Sequence, residues 1–293
     1  MDLRKRAITF GNVRLRPASC RWAQIGHSFF RIRHQDLWVG LWVGKLPKVN
    51  PEAMIDEVVR VVGGKRVETL LPPDDGERPK NADYVFQSEN VIAELKSLQQ
   101  EVFTAAYRQR LGQLAQNWMK RDLIRVFGRA VLNMRTLPAV CQNEWLRLLT
   151  LPLQTKVVRA AHRQIKQTKE TLGLHEAKGL LLLANEGNLD FEPHNLLLTV
   201  AHILKKKHPD GSPQYSSIHA VSIFSHTLLV SSPDLPSRAF FWLNGHRPFC
   251  DDSIQVLQSK LETAWYESMS KQVGYPIRRF NVSQERMDDL KFS

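Results

Sequence analysis

Asp83, Glu94 and Lys96 are the residues of this chain whose types and spacing could do chemistry together. Two short runs of β-type residues, 83–86 and 90–96, flank the polar stretch Gln87-Ser88-Glu89, and this reads as a hairpin. The acid that opens the first strand and the acid near the close of the second then meet at one end of an antiparallel pair. Glu94 and Lys96 are two residues apart, so their side chains leave the same face of the strand. Two carboxylates and an ammonium group share one edge of a small sheet. That is the minimum needed to hold a divalent cation through oxygen and to activate a water against a phosphodiester.

The elements that must position this edge follow from the flanking sequence. Asn50-Pro51-Glu52 opens a helix, with Asn50 as N-cap, Pro51 at the first helical position and Glu52 at the positive end of the dipole. Met54, Ile55, Val58, Val59 and Val62 form its apolar face, and Gly63-Gly64 stops it. A short strand is predicted over 66–71, then a loop over 72–80 by its proline, glycine and charge content. Residues 97–131 carry apolar positions at helical spacing. Residues 154–172 form an amphipathic helix with Lys156, Arg159, Arg163, Lys166 and Lys169 on its basic face, ended by Gly173. The run 178–185, KGLLLLAN, is continuously apolar, as in a strand buried on both faces. A helix over 191–207 and a strand over 217–224 follow.

An acid-x-Lys triplet is common, and this chain has others at Glu176-Ala177-Lys178 and Asp289-Leu290-Lys291. Only Glu94-Leu95-Lys96 closes an apolar β-run behind another acid-led strand. Asp83, a β-run and then Glu94-Leu95-Lys96 resemble the core of the PD-(D/E)XK nuclease superfamily, the restriction-endonuclease-like fold. Ala82 stands where that family usually has proline. The order helix, three strands, helix, strand from Pro51 onward, with helices inserted before the second helix, is also that family's αβββαβ order. The resemblance implies a mixed α/β (α+β) sheet with the core at residues 50–230 and a helical insertion at about 97–150. A β-rich N-terminal extension (1–49) and a C-terminal extension with a long helix (231–293) would flank it.

The resemblance further implies a metal-dependent nuclease acting on DNA, and suggests as its context the cutting component of a bacterial antiviral defence or repair system. Asp83, Glu94 and the carbonyl of Leu95 would hold Mg²⁺ or Mn²⁺, and Lys96 would orient the attacking water and offset developing charge. Glu57 on the first helix is the candidate for a further acid, with Glu52 behind it. Gln164 is the candidate for the glutamine that some branches place near the water or a phosphate. Lys156, Arg159, Arg163 and Lys166, three to four residues apart, would contact phosphates. A solvated helix acid and a solvated charged face are the plain alternatives for Glu57 and for this row.

The chain has 293 residues and a formal net charge of +12. A protein this basic points to a polyanionic partner, with nucleic acid the default. Cys20, Cys141 and Cys250 are far apart, which argues against a disulfide framework or zinc cluster and fits a reducing cytoplasm. The N-terminus lacks a continuous apolar stretch, and no apolar run is long enough to span a bilayer, so a membrane partner is not expected. The ten histidines show no ligand spacing. Phosphate-loop, dinucleotide, GxSxG and HExxH motifs are missing, which argues against common small-molecule enzymes. Trp22, Trp38 and Trp42 beside Arg31 and Arg33 could stack on bases, but packing of a β-extension accounts for them more simply. A homodimer would suit cutting both strands, and the insertion offers a surface for a partner protein. The competing expectation is a non-catalytic nucleic-acid-binding or scaffold protein that keeps the fold.

Overall fold

In chain order the elements are β1 (Trp38–Trp42), α1 (Pro51–Val61), β2 (Lys65–Arg66), β3 (Tyr84–Phe86), β4 (Val91–Leu98), α2 (Ala105–Lys120), α3 (Ala139–Leu153), α4 (Arg159–Thr171), β5 (Lys178–Asn185), α5 (Pro193–Leu204), β6 (Ala220–Ser231), β7 (Pro236–His246), α6 (Asp252–Val273), β8 (Arg279–Asn281) and β9 (Lys291–Phe292). The structure is a computed structural model that describes residues 38–42, 50–72, 80–99, 101–126, 136–186, 188, 191, 193–231, 236–248, 250, 252–274, 277, 279–281 and 291–292. The strands form one mixed sheet in the order β2-β3-β4-β5-β6-β7-β1-β8, with β9 beside β6. β4, β5 and β6 are parallel to one another. The β3–β4 and β6–β7 pairs are antiparallel.

The apolar run at 178–185 lies in the middle of this sheet, and its lack of alternation has a direct cause. Leu181 and Leu183 pack with Ala161 and Ile165 of α4 and with Leu196, Leu197 and Val200 of α5. Leu180, Leu182 and Ala184 pack on the other face with Met54 and Ile55 of α1 and with Leu261 and Trp265 of α6. A strand covered by helices on both sides has no polar face to show. The fold is thus a mixed α/β sandwich, with α1 and α6 on one face and α4, α5 and the α2–α3 pair on the other.

Helix α1 is built as its sequence dictates. The Asn50 side chain accepts from the Glu52 and Ala53 amides, and Pro51 is the first helical residue. Of the strand expected at 66–71 only Arg66 pairs with β3, together with Lys65 just before it, and Val67–Leu70 turn into a 3-10 helix. The Val67 amide bonds the carbonyl of Asp83, just before β3 begins. Beyond that point, among the described residues, no strand pairs with this edge. Residues 97–98 extend β4, so the helical insertion starts only at Ala105, where Thr104 caps α2.

The helix expected to begin at 154 is continuous with α3 through a π-helical turn, Gln154–Val158. Pro152 lies inside α3 just before this turn. Proline cannot donate to the helical ladder and crowds the preceding turn, and a π-turn absorbs the misfit. The segment expected as a C-terminal extension is instead part of the body. β7 pairs along most of β6, and α6 supplies much of one core. β1 joins the same sheet beside β7 and β8. The rest of the N-terminal expectation, including Trp22, Arg31 and Arg33, lies outside the described residues.

A carboxylate that the sequence reading did not single out ties α1 to the hairpin. Asp56 Oδ1 accepts from Arg66 Nε at 2.9 Å and from the buried Tyr84 hydroxyl at 2.8 Å, and Asp56 Oδ2 accepts from the Arg66 guanidinium. Burial, then Asp56, pushes the Tyr84 hydroxyl well above its ordinary range. Asp56→Ala leaves that hydroxyl buried without its acceptor and is expected to destabilise the fold by about 2 kcal/mol. Asp56→Asn keeps an acceptor and should lose less. Denaturant midpoints check the ranking, and equal values for Asp56→Ala and wild type would refute it.

Candidate active site

The register of the hairpin decides where the acids meet. Tyr84 pairs with Ala93 and Val85 with Ile92. Continuing that register by one residue sets Asp83 opposite Glu94. Val85 and Ile92 belong to the core on the α4 side, so period-two alternation brings Asp83, Glu94 and Lys96 to that same face. Glu94 is 1% exposed, whereas Asp83 is exposed. Asp83 Oδ2 accepts from the Leu95 amide at 2.8 Å. The N–H and C=O of a strand residue leave on the same side, so the Leu95 carbonyl also faces the Asp83 edge.

Helix α4 completes the arrangement. Lys96 Nζ donates to Glu94 Oε1 and, at 2.7 Å, to Gln164 Oε1. Gln164 Nε2 donates to the Asn81 carbonyl at 3.0 Å. One turn further on, Thr168 Oγ1 accepts from the Ala82 amide at 2.7 Å and its hydroxyl donates back to the Gln164 carbonyl. Asn81 and Ala82 are thereby strapped to the helix, and this fixes the approach to Asp83. Thr168 has a place on the packing side of α4 in the sequence pattern. Its offset of four from Gln164 was the available signal for more.

Glu94 Oε2 is buried and has no hydrogen-bond partner. A buried carboxyl oxygen without a partner is costly; a proton shared with Asp83 relieves it in the metal-free protein, and a cation beside Asp83 would do the same. Among the described residues no group of three or more His, Cys, Asp or Glu side chains gathers in reach of one ion. A cation here would therefore have two carboxylates and a carbonyl. Mg²⁺ accepts such a sparse oxygen set, because it keeps several waters and shares substrate phosphate oxygens.

Burial, and next the Asp83 carboxylate, push the Glu94 carboxyl up to about 8, against the pull of Lys96. The unfolded chain releases this proton near 4.5, and the folded chain holds it to about 8. The contribution of Glu94 to stability is therefore complete below about 4.5 and is lost as pH rises through about 8. Denaturant midpoints of the metal-free protein, taken as wild type minus Glu94→Gln, are expected to fall across that window. A flat difference would contradict the buried, proton-holding Glu94.

Of the other residues singled out, Gln164 reaches the site and Glu57 does not. Glu57 lies on α1, which packs on the opposite face of the sheet, and its Oε2 accepts from Ser268 of α6 at 3.5 Å. Glu52 lies near Arg66, at 3.5 Å, on that same helix. Lys156, Arg159, Arg163 and Lys166 are all exposed along the π-turn and α4. Lys166 approaches Glu170 at 4.0 Å. Among the described residues no helix is long and apolar enough to cross a membrane. Comparison of the chain with known protein families, with curated proteins and with solved structures finds no match.

Proposed function

We propose that this chain is a metal-dependent nuclease that hydrolyses phosphodiester bonds of DNA on a restriction-endonuclease-like core. The observation that carries the reading is Glu94. Its buried carboxyl has one oxygen on Lys96 and one oxygen bare, opposite Asp83 at an open sheet edge. With the inserted α2 and α3 set aside, the succession α1-β2-β3-β4-α4-β5, with β3–β4 antiparallel and β4–β5 parallel, supports the core assignment. A role in bacterial defence or repair rests on the resemblance alone.

In this reading Asp83, Glu94 and the Leu95 carbonyl hold Mg²⁺ or Mn²⁺. The bound ion supplies Lewis-acid polarisation of a phosphate oxygen and a nucleophile at neutral pH. Lys96 presents a positive charge to the oxygens that gain charge in the transition state. Gln164 and Glu94 hold its ammonium group from two sides, so it is oriented before substrate arrives. The exposed row Lys156, Arg159, Arg163 and Lys166 contacts the DNA backbone and supplies affinity rather than chemistry. A homodimer, or a partner protein docked on α2 and α3, would bring a second cutting edge to the other strand.

Plasmid cleavage in Mg²⁺ or Mn²⁺, with EDTA and Lys96→Ala as controls, tests the reading. Cleavage that EDTA stops and Lys96→Ala reduces by about a hundredfold or more agrees with it. The small number of ligating side chains favours the second reading, a scaffold that binds nucleic acid without cutting it. DNA binding by a wild type that never cleaves would select that one.

A further inference from the structure

The buried stripe of α4 is Ala161, Ile165 and Thr168. Packing alone asks for an apolar side chain at its last position, and valine would fill the space of threonine there. Thr168 is 0% exposed, yet it carries a hydroxyl. A buried hydroxyl is costly unless it is bonded, and this one is bonded on both sides. Its hydrogen turns back to the helix, to the Gln164 carbonyl at 2.9 Å, and leans toward Asn81 Oδ1 at 3.3 Å. Its lone pairs are left for the Ala82 amide, which donates to it at 2.7 Å.

The place of Ala82 in the chain gives that last bond its weight. β3 begins at Tyr84, so Ala82 stands before the first residue of that strand to pair in the sheet. Ala82 is itself buried, and its amide cannot turn to water for an acceptor. Asp83, next in the chain, is held at its carbonyl by the Val67 amide at 2.9 Å and at Oδ2 by the Leu95 amide at 2.8 Å. Thr168 adds the hold on the N-terminal side. The helix that supplies it is a firm post. A π-turn takes in one residue more than an α-turn, which turns everything after it by roughly 100°. Its first residue is locked in place, because Gln154 Nε2 donates to the Tyr215 hydroxyl at 2.8 Å and Gln154 Oε1 accepts from Lys206 Nζ at 2.6 Å. The direction in which α4 presents Gln164 and Thr168 is set there.

We propose that Thr168 is a positioning residue of the metal site put forward above: through the Ala82 amide it fixes the Asp83 carboxylate opposite Glu94, and so sets how tightly a divalent cation is held. It touches neither the ion nor the substrate. Glu94 lies within β4 and is placed by the sheet. Asp83, one residue ahead of its strand, is the ligand that the sheet alone does not fix. Losing a residue that orients a metal ligand typically costs ten- to a hundredfold in affinity.

Mn²⁺ binding to the full chain without DNA, by calorimetric titration, tests this in Thr168→Val, Thr168→Ser, Asp83→Ala and Ile165→Val. Thr168→Val keeps the shape and loses the acceptor, and Thr168→Ser keeps the acceptor. Ile165→Val removes a buried methyl one turn earlier, so it lowers the melting temperature and leaves the strap in place. The assignment stands if Thr168→Val weakens Mn²⁺ binding by about tenfold or more while Thr168→Ser and Ile165→Val bind as wild type does. It falls if Thr168→Val binds as wild type does, or if Thr168→Ser or Ile165→Val weakens binding as much. Exchange of the Ala82 amide in wild type needs no variant. A strap that strengthens binding is strengthened by it in the same factor, so saturating Mg²⁺ slows that exchange, and an unchanged rate overturns the assignment. Wild type that binds Mn²⁺ no better than Asp83→Ala removes the metal site and the positioning role together. EDTA-sensitive DNA cleavage whose dependence on Mn²⁺ concentration is the same in wild type and Thr168→Val removes the role and keeps the nuclease reading. Mn²⁺ binding that Thr168→Val weakens, in a protein that cuts no DNA, does the reverse.

Discussion

Glu94→Gln is expected to lower Mg²⁺-dependent cleavage by about a thousandfold or more, roughly 4 kcal/mol of transition-state stabilisation, with no loss of fold or of DNA affinity. The substitution keeps the volume and shape of the side chain. Its carbonyl can still accept from Lys96, as Glu94 Oε1 does. It removes only the ability to become an anion. The metal-free wild type already holds a proton on Glu94 up to about 8, so the glutamine resembles the resident form and should not destabilise the protein at neutral pH. Asp83→Ala should show a similar loss of cleavage at small structural cost, because Asp83 is exposed and gives up one hydrogen bond from the Leu95 amide. DNA affinity should survive both changes, since in the proposed reading it resides in phosphate contacts from Lys156, Arg159, Arg163 and Lys166. The two readouts separate chemistry from binding. Cleavage that persists in either variant would place the chemistry elsewhere and end the argument from the hairpin edge.

What the sequence made legible was local pattern, and what it hid was neighbourhood. The hairpin, the Asn50 cap and the buried strand at 178–185 each rest on residues adjacent in the chain, and the structure has them close to the expected bounds. Gln164 was reachable because the resemblance supplied a helix for it, and it bonds Lys96 across 68 positions. Glu57 failed for a reason that spacing cannot show. Which side of the sheet α1 covers depends on α6, which lies more than 190 residues later and takes Glu57 through Ser268. The same ignorance hid Asp56, whose partners Arg66 and Tyr84 lie on two different strands. The tail from 231 read as an extension because a strand's neighbours in a sheet are not written in its own residues. The pairing of β7 with both β6 and β1, and the side chains α6 puts into one core, make that tail part of the body.

Gly179→Ala is expected to cost about 3 kcal/mol or more, a large share of an ordinary domain's stability. Gly179 is the second residue of the central strand β5, and in the sequence it is merely the small member of an apolar run. In the structure a Cβ there would lie 1.9 Å from the Ser217 carbonyl oxygen and 2.8 Å from Ile165 Cγ2. A strand glycine often marks the close approach of another backbone, and here the approaching chain cannot withdraw. The Gly179 amide donates to His219 Nδ1 at 2.9 Å, and the His219 amide donates to the Gly179 carbonyl at 2.8 Å. Arg247 pins the carbonyls of Tyr215 and Ile218 on either side of Ser217. Relief would mean breaking one of these bonds or moving β5 out of a sheet whose two cores meet at its side chains. Gly64 gives the comparison. A Cβ there meets the side chains of Phe86 and Val59 at 2.5 and 2.6 Å, atoms that can turn aside, so Gly64→Ala should be milder. Denaturant midpoints of the two variants measure the difference. If Gly179→Ala unfolds at the wild-type midpoint, the segment at 215–219 yields more easily than its hydrogen bonds imply, and the close packing of β5 against it is wrong.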